Sequence, residues 1–333
     1  MKNKSKYQTI DKNKLIIKGG NNEIIPTVEA EQKCAPSKKF DKGSCFSTEA
    51  LIKIANNYNK KYTDKIDASL SREQLIDVLE DKLKNTCSDQ TCWLRLNIVK
   101  ELNSNDIKNN TFRPEGPDKQ YDWLSTSHID DVMEQYQKIN PNFIFLGTVP
   151  NDFENLPMLG INNLQFDDLE KNNKIELGMV INLDEHWQSG SHWVGLYINL
   201  NKYQIYYYDS VGSKPGKRIR AFISRVTKYL YYKKFKKHIK IGDIINRLKN
   251  INSSQNEENN IDIDIQNIMN GGFDIRYNKN KHQFDNSECG VYSIYFIERL
   301  ITGESFDIIT NNIIKDNVIN QRRKIYFRNT KFE

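Results

Sequence analysis

The chain has 333 residues, 38% of them hydrophobic and 28% charged, which suits a globular protein with a sizeable core and allows two domains. Its formal net charge is +6; Asn, Lys and Ile are over-used, and an AT-rich genome accounts for that bias without reference to mechanism. No apolar run reaches the roughly 18 residues of a membrane span, and residues 1–6 lead into no apolar signal segment, so neither a membrane protein nor a secreted one is expected.

In chain order, residues 1–33 read as a mobile basic tail. Residues 34–110 carry a helical pattern. Phe46-Ser47-Thr48-Glu49 and Leu70-Ser71-Arg72-Glu73-Gln74 resemble capping boxes. Leu51, Ile54, Ala55 and Tyr58 share one helix face; Leu75, Val78, Leu79 and Leu83 share another. This small helical domain reads either as a docking arm for a substrate or as a stabilising appendage. Four of the five cysteines lie in it: Cys34, Cys45, Cys87 and Cys92. An odd cysteine count in a chain without an export signal argues for a reducing compartment and for buried free thiols. A structural zinc, suggested by the Cys87-x4-Cys92 spacing, is the alternative.

Pro114, Gly116 and Pro117 mark a boundary, and residues 111–333 are expected to form the second domain. There a helix is predicted over 127–137 and short strands over 143–146 and 177–183. Residues 193–198 and 203–208 read as the two strands of a hairpin. A basic helix follows, with an apolar stripe of Ile219, Phe222, Ile223, Val226 and Leu230. Arg218, Arg220, Arg225, Lys228, Lys233, Lys234, Lys236 and Lys237 lie in or just beyond it. Residues 217–240 are thus a solvated basic face or, as the sharper reading, a weak nucleic-acid contact. Residues 251–262 are polar and read as a loop.

Cys289 follows a polar run and opens an apolar segment: Val291, Ile294, Tyr295, Phe296, Ile297, Leu300 and Ile301. That segment is predicted to be a buried helix capped by Ser287 or Asn286. A cysteine in its first turn feels the partial positive charge of the helix N-terminus, which favours thiolate. The plainer alternative is a structural cysteine at the top of a core helix. A thiolate nucleophile needs a base, and the base an orienting group. If the hairpin loop is Leu200-Asn201, His192 pairs with Asp209, and directly opposed residues share a face with Cβ atoms about 4.5–5.5 Å apart. His192 is therefore the expected base and Asp209 its partner. His186 lies six residues further from the pairing point and is the weaker candidate.

His192-Trp193, Asp209-Ser210 and Gln283-x5-Cys289-Gly290 resemble, in order and spacing, the signatures of the Ulp1/adenain-like cysteine peptidases. Trp123-Leu124 looks like the Trp-Leu pair that opens those catalytic domains, although Ser125-Thr126 stands where they have Asn-Asp. Residues 273–277 resemble the strand that leads to the glutamine. Residues 188–193 and 145–150 look most like the thiol proteases of large DNA viruses, related to the asfivirus capsid-polyprotein protease.

The resemblance implies an α+β fold with a papain-like or adenain-like core: a mixed central sheet, flanking helices and the nucleophile at the N-terminus of a central helix. It implies peptide hydrolysis through an acyl-thioester, with Cys289 as nucleophile, His192 as base and then acid, Asp209 as orienter and Gln283 as oxyanion donor. It also implies that Trp123 and Trp193 cover a narrow tunnel for two glycines, because indole faces closing on an extended backbone leave no room for Cβ atoms. The expected substrate is a protein: a viral structural or polyprotein precursor cut after Gly-Gly, or a ubiquitin-like conjugate. An acyltransferase on the same fold is a further alternative, against which Asp209 speaks because Glu is usual there. A non-catalytic scaffold is another, against which the intact residue set speaks. No cofactor, metal or membrane is called for. The expected location is the virion and the cytoplasm of the infected host cell.

Overall fold

A computed structural model describes residues 16–17, 24–25, 33–239, 242–253 and 263–328. The expected tail (1–33) and polar loop (251–262) fall almost wholly outside the described residues; within the former, β1 (Ile16–Ile17) pairs antiparallel with β2 (Ile24–Ile25). The chain divides into two compact units, Met1–Gln120 with Gln321–Glu333, and Tyr121–Asn320. The first unit thus runs to Gln120 rather than 110, and it takes back the C-terminal residues expected in the second. The cause is the polypeptide around Pro114, which offers acceptors. The Arg328 N–H donates to the Pro114 carbonyl at 3.1 Å, and its guanidinium to the Arg113 carbonyl at 2.7 Å and to Glu115 at 3.1 Å.

The first unit is helical, as its periodicity predicts: α1 (Thr48–Lys61), α2 (Arg72–Leu83), α3 (Gln90–Trp93), α4 (Asn97–Lys100) and α5 (Asn105–Asn110). Ser47 caps α1 by accepting the Ala50 N–H, and Ser71 with Gln74 forms a complete capping box on α2. Leu51, Ile54, Leu75 and Leu79 meet in a core closed by Phe46, Trp93 and Phe112. The four cysteines are neither free thiols nor zinc ligands. Cys34 bonds to Cys45 and Cys87 to Cys92, with Cα atoms 5.4 and 5.5 Å apart. The odd count that suggested a reducing compartment resolves into two disulfides and one free thiol, Cys289.

The second unit follows as α6 (Thr126–Ile139), β3 (Phe143–Val149), α7 (Phe166–Lys171), β4 (Glu176–Asn182), β5 (Trp193–Asn199), β6 (Gln204–Tyr208), α8 (Lys217–Phe235), α9 (Ile244–Ser253), α10 (Ile263–Asn270), β7 (Asp274–Tyr277), α11 (Cys289–Ile301), α12 (Phe306–Asn311) and α13 (Asp316–Asn320); α14 (Arg323–Tyr326) belongs to the first. Its sheet has the order β3-β4-β5-β6-β7, parallel at both outer pairs and antiparallel between β4, β5 and β6. This is the expected mixed sheet. Alternation sends Val194, Leu196 and Ile198 to one face, where Phe222, Val226 and Leu230 of α8 cover them. Gly195, on the other face, admits α11: a Cβ there would sit 3.0 Å from the Phe296 ring. The basic residues of α8 are largely engaged within the unit. Arg218 pairs with Glu185, Arg220 with Asp243 at 2.9 Å, Arg225 with Glu154 at 3.3 Å and Lys233 with Glu170. Among the described residues, no helix is long and apolar enough to cross a membrane.

The disulfides close short loops, of sequence separation 11 and 5. Chain-entropy reasoning assigns them about 3 and about 2 kcal/mol of stabilisation. Reduction is therefore expected to lower the first melting transition of the full-length protein by about 10 °C or more. Differential scanning calorimetry with and without dithiothreitol, alongside thiol titration, checks this. Unchanged melting with all five thiols titratable would contradict it.

Candidate active site

Cys289 is the first residue of α11 and is buried. The N-cap is Glu288, not Ser287 or Asn286 as predicted, and no side chain caps the helix. Ser287 instead donates to the Glu288 carboxylate at 2.8 Å, and Asn320 donates to the same oxygen at 2.8 Å. The first-turn N–H groups beside the thiol are thus left without a capping side chain, and the helix dipole acts on the thiol directly. Gly290 is held tightly: a Cβ there would lie 3.1 Å from the Cβ of Leu124.

His192 immediately precedes β5, and its carbonyl accepts the Leu183 N–H at 2.9 Å, which anchors it to the end of β4. Its Nε2 lies 2.7 Å from Oδ1 of Asp209. The ring is also close enough to Cys289 for that side chain to act on its charge. With Nε2 engaged by Asp209, Nδ1 is the nitrogen left for the thiol. Burial opposes a charge on this imidazole, but the hydrogen bond to Asp209 and the nearby Cys289 outweigh it and raise the pKa to about 9.

The hairpin register differs from the expected one by two residues. Asn199 pairs with Gln204 and Gly195 with Tyr208, so the loop is four residues long, with Tyr203 left-handed at φ 54°. Asp209 is in line with Val194 rather than with His192. Both residues lie just outside the paired strands at the same end of the hairpin, and there the two side chains meet.

Asp209 is fully buried just beyond β6. Its Oδ1 also accepts the Val211 N–H at 3.0 Å, and its carbonyl accepts Asn278 Nδ2 at 2.9 Å and the Gly212 N–H at 2.8 Å. Gly212 has φ +81°, and a Cβ would approach the Lys279 carbonyl oxygen to 2.8 Å, so this turn requires glycine. The next residue, Ser210, holds the segment of the glutamine. Its carbonyl accepts the N–H groups of His282 at 2.8 Å and Gln283 at 2.9 Å, and its hydroxyl lies 2.6 Å from Gln283 Oε1. His192 and Asp209 thus form a hydrogen-bonded pair beside Cys289, with Gln283 attached to the residue after Asp209.

The tryptophans differ in exposure. Trp193 is buried (8% exposed) and donates its indole N–H to the Leu124 carbonyl at 2.9 Å. Trp123 is 50% exposed. The other histidines are engaged elsewhere. His186 pairs with Asp152 at 2.6 Å, and His128 completes the capping box of Ser125 on α6. His238 stacks on Tyr232, and His282 is buried between the Thr310 carbonyl and the Ile314 N–H, where burial pushes its pKa down. Sequence reasoning missed Asn278 and the side chain of Ser210 as supports of the site. Ser210 stands in the Asp209-Ser210 signature without any role read from it, and Asn278 sits in no recognisable spacing, because the β6–β7 pairing brings it to Asp209.

Residues 122–331 match the Ulp1 protease family, C-terminal catalytic domain. A protein of Acanthamoeba polyphaga mimivirus named as a thiol protease is 32% identical over 318 residues, 89% of this chain and 93% of the relative. The crystal structure of a protease from ASFV superposes with a TM-score of 0.55 at 18% identity, covering 90% of this chain and 97% of that one. This likeness shows the same fold.

An imidazolium held to about pH 9 has a definite consequence. The folded pKa lies above the ordinary 6.5, so the stabilisation from the charged ring is complete below 6.5 and is lost as pH rises through about 9. Hydrolysis is expected to fall along a basic limb near pH 9, where the ring can no longer protonate a leaving amine. A kcat/KM profile from pH 6 to 10.5 measures this, and a limb near 6.5 would contradict the coupling. His192→Ala is expected to cost at least roughly 10³-fold in kcat, and His186→Ala less than a few-fold.

Proposed function

The chain belongs to the Ulp1 protease family, and from that premise we propose that this cysteine peptidase cuts viral structural or polyprotein precursors after Gly-Gly, in the virion and in the cytoplasm of the infected cell. The observation that carries the chemistry is the hydrogen-bonded pair of Asp209 and His192 beside Cys289 at the uncapped end of α11. Cys289 attacks the scissile carbonyl as the thiolate of an ion pair with His192. Asp209 holds the ring so that Nδ1 meets the sulfur and stabilises the imidazolium. The tetrahedral oxyanion is received by Gln283 Nε2 and by the N–H groups of the first turn of α11; such a donor is typically worth about 10²–10³ in rate. His192 then protonates the leaving amine, and water hydrolyses the thioester with His192 again as base. No step calls for a metal or cofactor.

The glycine preference is supported by the packing around Leu124. Its side chain lies against Gly290 and its carbonyl receives the Trp193 indole, so the half-exposed Trp123 stands one residue from both. In this reading Trp123 covers the substrate and Trp193 is the fixed floor beneath. Arg218, Arg220, Arg225 and Lys233 already have intramolecular partners, so the proposal includes no nucleic-acid contact through residues 217–240.

Peptides carrying Gly-Gly, Gly-Ala and Ala-Gly before the cut test the specificity. A loss of about a hundredfold or more in kcat/KM for either alanine is expected, on the order of a severe steric misfit. Comparable values for all three would contradict it. Incubation with structural precursors and with folded ubiquitin-like fusions, each beside a Cys289→Ala control, separates precursor processing from deconjugation. Cleavage of the fusions alone would contradict the precursor reading.

A further inference from the structure

We infer that Ser210 is a positioning residue for the reaction: its hydroxyl anchors and polarises the Gln283 amide so that one Nε2 hydrogen is presented to the oxyanion. This rests on the reading of Gln283 as an oxyanion donor.

The amide of Gln283 is buried and has two neighbours. Nε2 lies 2.7 Å from the Asp285 carbonyl, and Oε1 lies 2.6 Å from Ser210 Oγ. A backbone carbonyl only accepts, so the nitrogen must be on the Asp285 side; a flipped amide would set two acceptors face to face there. Oε1 is then the atom facing Ser210, and the hydroxyl must donate to it. Of the two Nε2 hydrogens, Asp285 takes one. The second has no acceptor among the described residues, and it is the hydrogen available to a developing negative charge. A hydrogen bond received at Oε1 draws electron density from the nitrogen and strengthens donation at Nε2, an effect magnified where water is excluded. Ser210 is itself almost fully buried, so the contact is not shared with bulk solvent.

The hydroxyl is separable from the rest of the turn. The Ser210 carbonyl receives the N–H groups of His282 and Gln283, and Asp209 is held by Val211, Gly212 and Asn278. None of these bonds uses the serine side chain. Ser210→Ala therefore removes the support of the amide and leaves the backbone clamp and the His192–Asp209 pair in place. The freed Oε1 becomes a buried acceptor without a donor, and the amide is held at one end only.

The full-length protein and an N-acylated Gly-Gly aminocoumarin amide provide the test, with Ser210→Ala, Gln283→Ala and the double variant assayed alongside the alkylation rate of Cys289 by iodoacetamide. Alkylation has no oxyanion, so it reports the thiolate and the fold independently of Gln283. For Ser210→Ala, kcat is expected to fall about 10- to 100-fold with KM little changed. Alkylation and the basic limb near pH 9 are expected to stay as in the wild type. The double variant is expected to be no slower than Gln283→Ala, because a residue acting through another loses its effect when that other is gone. Multiplicative losses, an unchanged kcat in Ser210→Ala, or a parallel loss of alkylation would each overturn the inference. If Gln283→Ala itself kept full kcat, the oxyanion assignment would fail and this inference with it; an impaired Gln283→Ala beside an unimpaired Ser210→Ala would overturn the inference alone.

Discussion

The turn Asp209-Ser210 at the end of β6 is the constraint on which the rest of the site depends. Four candidate side chains arrive from separated stretches of sequence, and two of them are fixed by this one dipeptide. Asp209 receives the ring of His192 from the head of β5. Ser210 receives the backbone of His282 and Gln283, which follow β7. The carboxylate is fully buried, and removing the partner of a buried charge typically costs about 3–5 kcal/mol. The turn is in turn fixed by Asn278, by the N–H groups of residues 211 and 212, and by a glycine that no other residue replaces without a clash. Cys289 comes from a different layer, α11, seated on the sheet face that Gly195 leaves open.

Much of this was legible in the sequence because it depends on local periodicity. The helices of the first unit, the stripe of α8 and the buried circumference of α11 all follow from apolar spacing, and Ser71-x-x-Gln74 announced its own cap. The meeting of His192 with Asp209 was legible for a more limited reason. The loop is longer than the sequence suggested, which moved the register by two, but both residues lie just outside the paired strands at the same end of the hairpin, so they remain neighbours.

What was not legible depends on contacts between distant segments. No local pattern tells a free thiol from a half-cystine; only the fold brings Cys34 to Cys45 and Cys87 to Cys92 and leaves Cys289 alone. The return of the C-terminal residues to the backbone near Pro114 is likewise a matter of tertiary hydrogen bonds, and the punctuation of Pro114, Gly116 and Pro117 read as a simple boundary. The cap of α11 was misread because the helix begins one residue later than a Ser287 cap requires, with Glu288 at the cap position and the Ser287 hydroxyl donating to its carboxylate instead of accepting a first-turn N–H. That outcome leaves the helix N-terminus beside the thiol uncapped, where a reacting group needs its donors.

The most direct measurement is site-resolved labelling of the unreduced, full-length protein with a limiting amount of iodoacetamide at neutral pH, read by peptide mass spectrometry. A thiol beside His192 in a chain whose other cysteines are half-cystines should take the label at Cys289 alone, and His192→Ala should slow that reaction at least tenfold, as the sulfur loses the base next to it. Labelling spread over Cys34, Cys45, Cys87 and Cys92 with Cys289 silent, or a Cys289 rate indifferent to His192, would contradict the site described above.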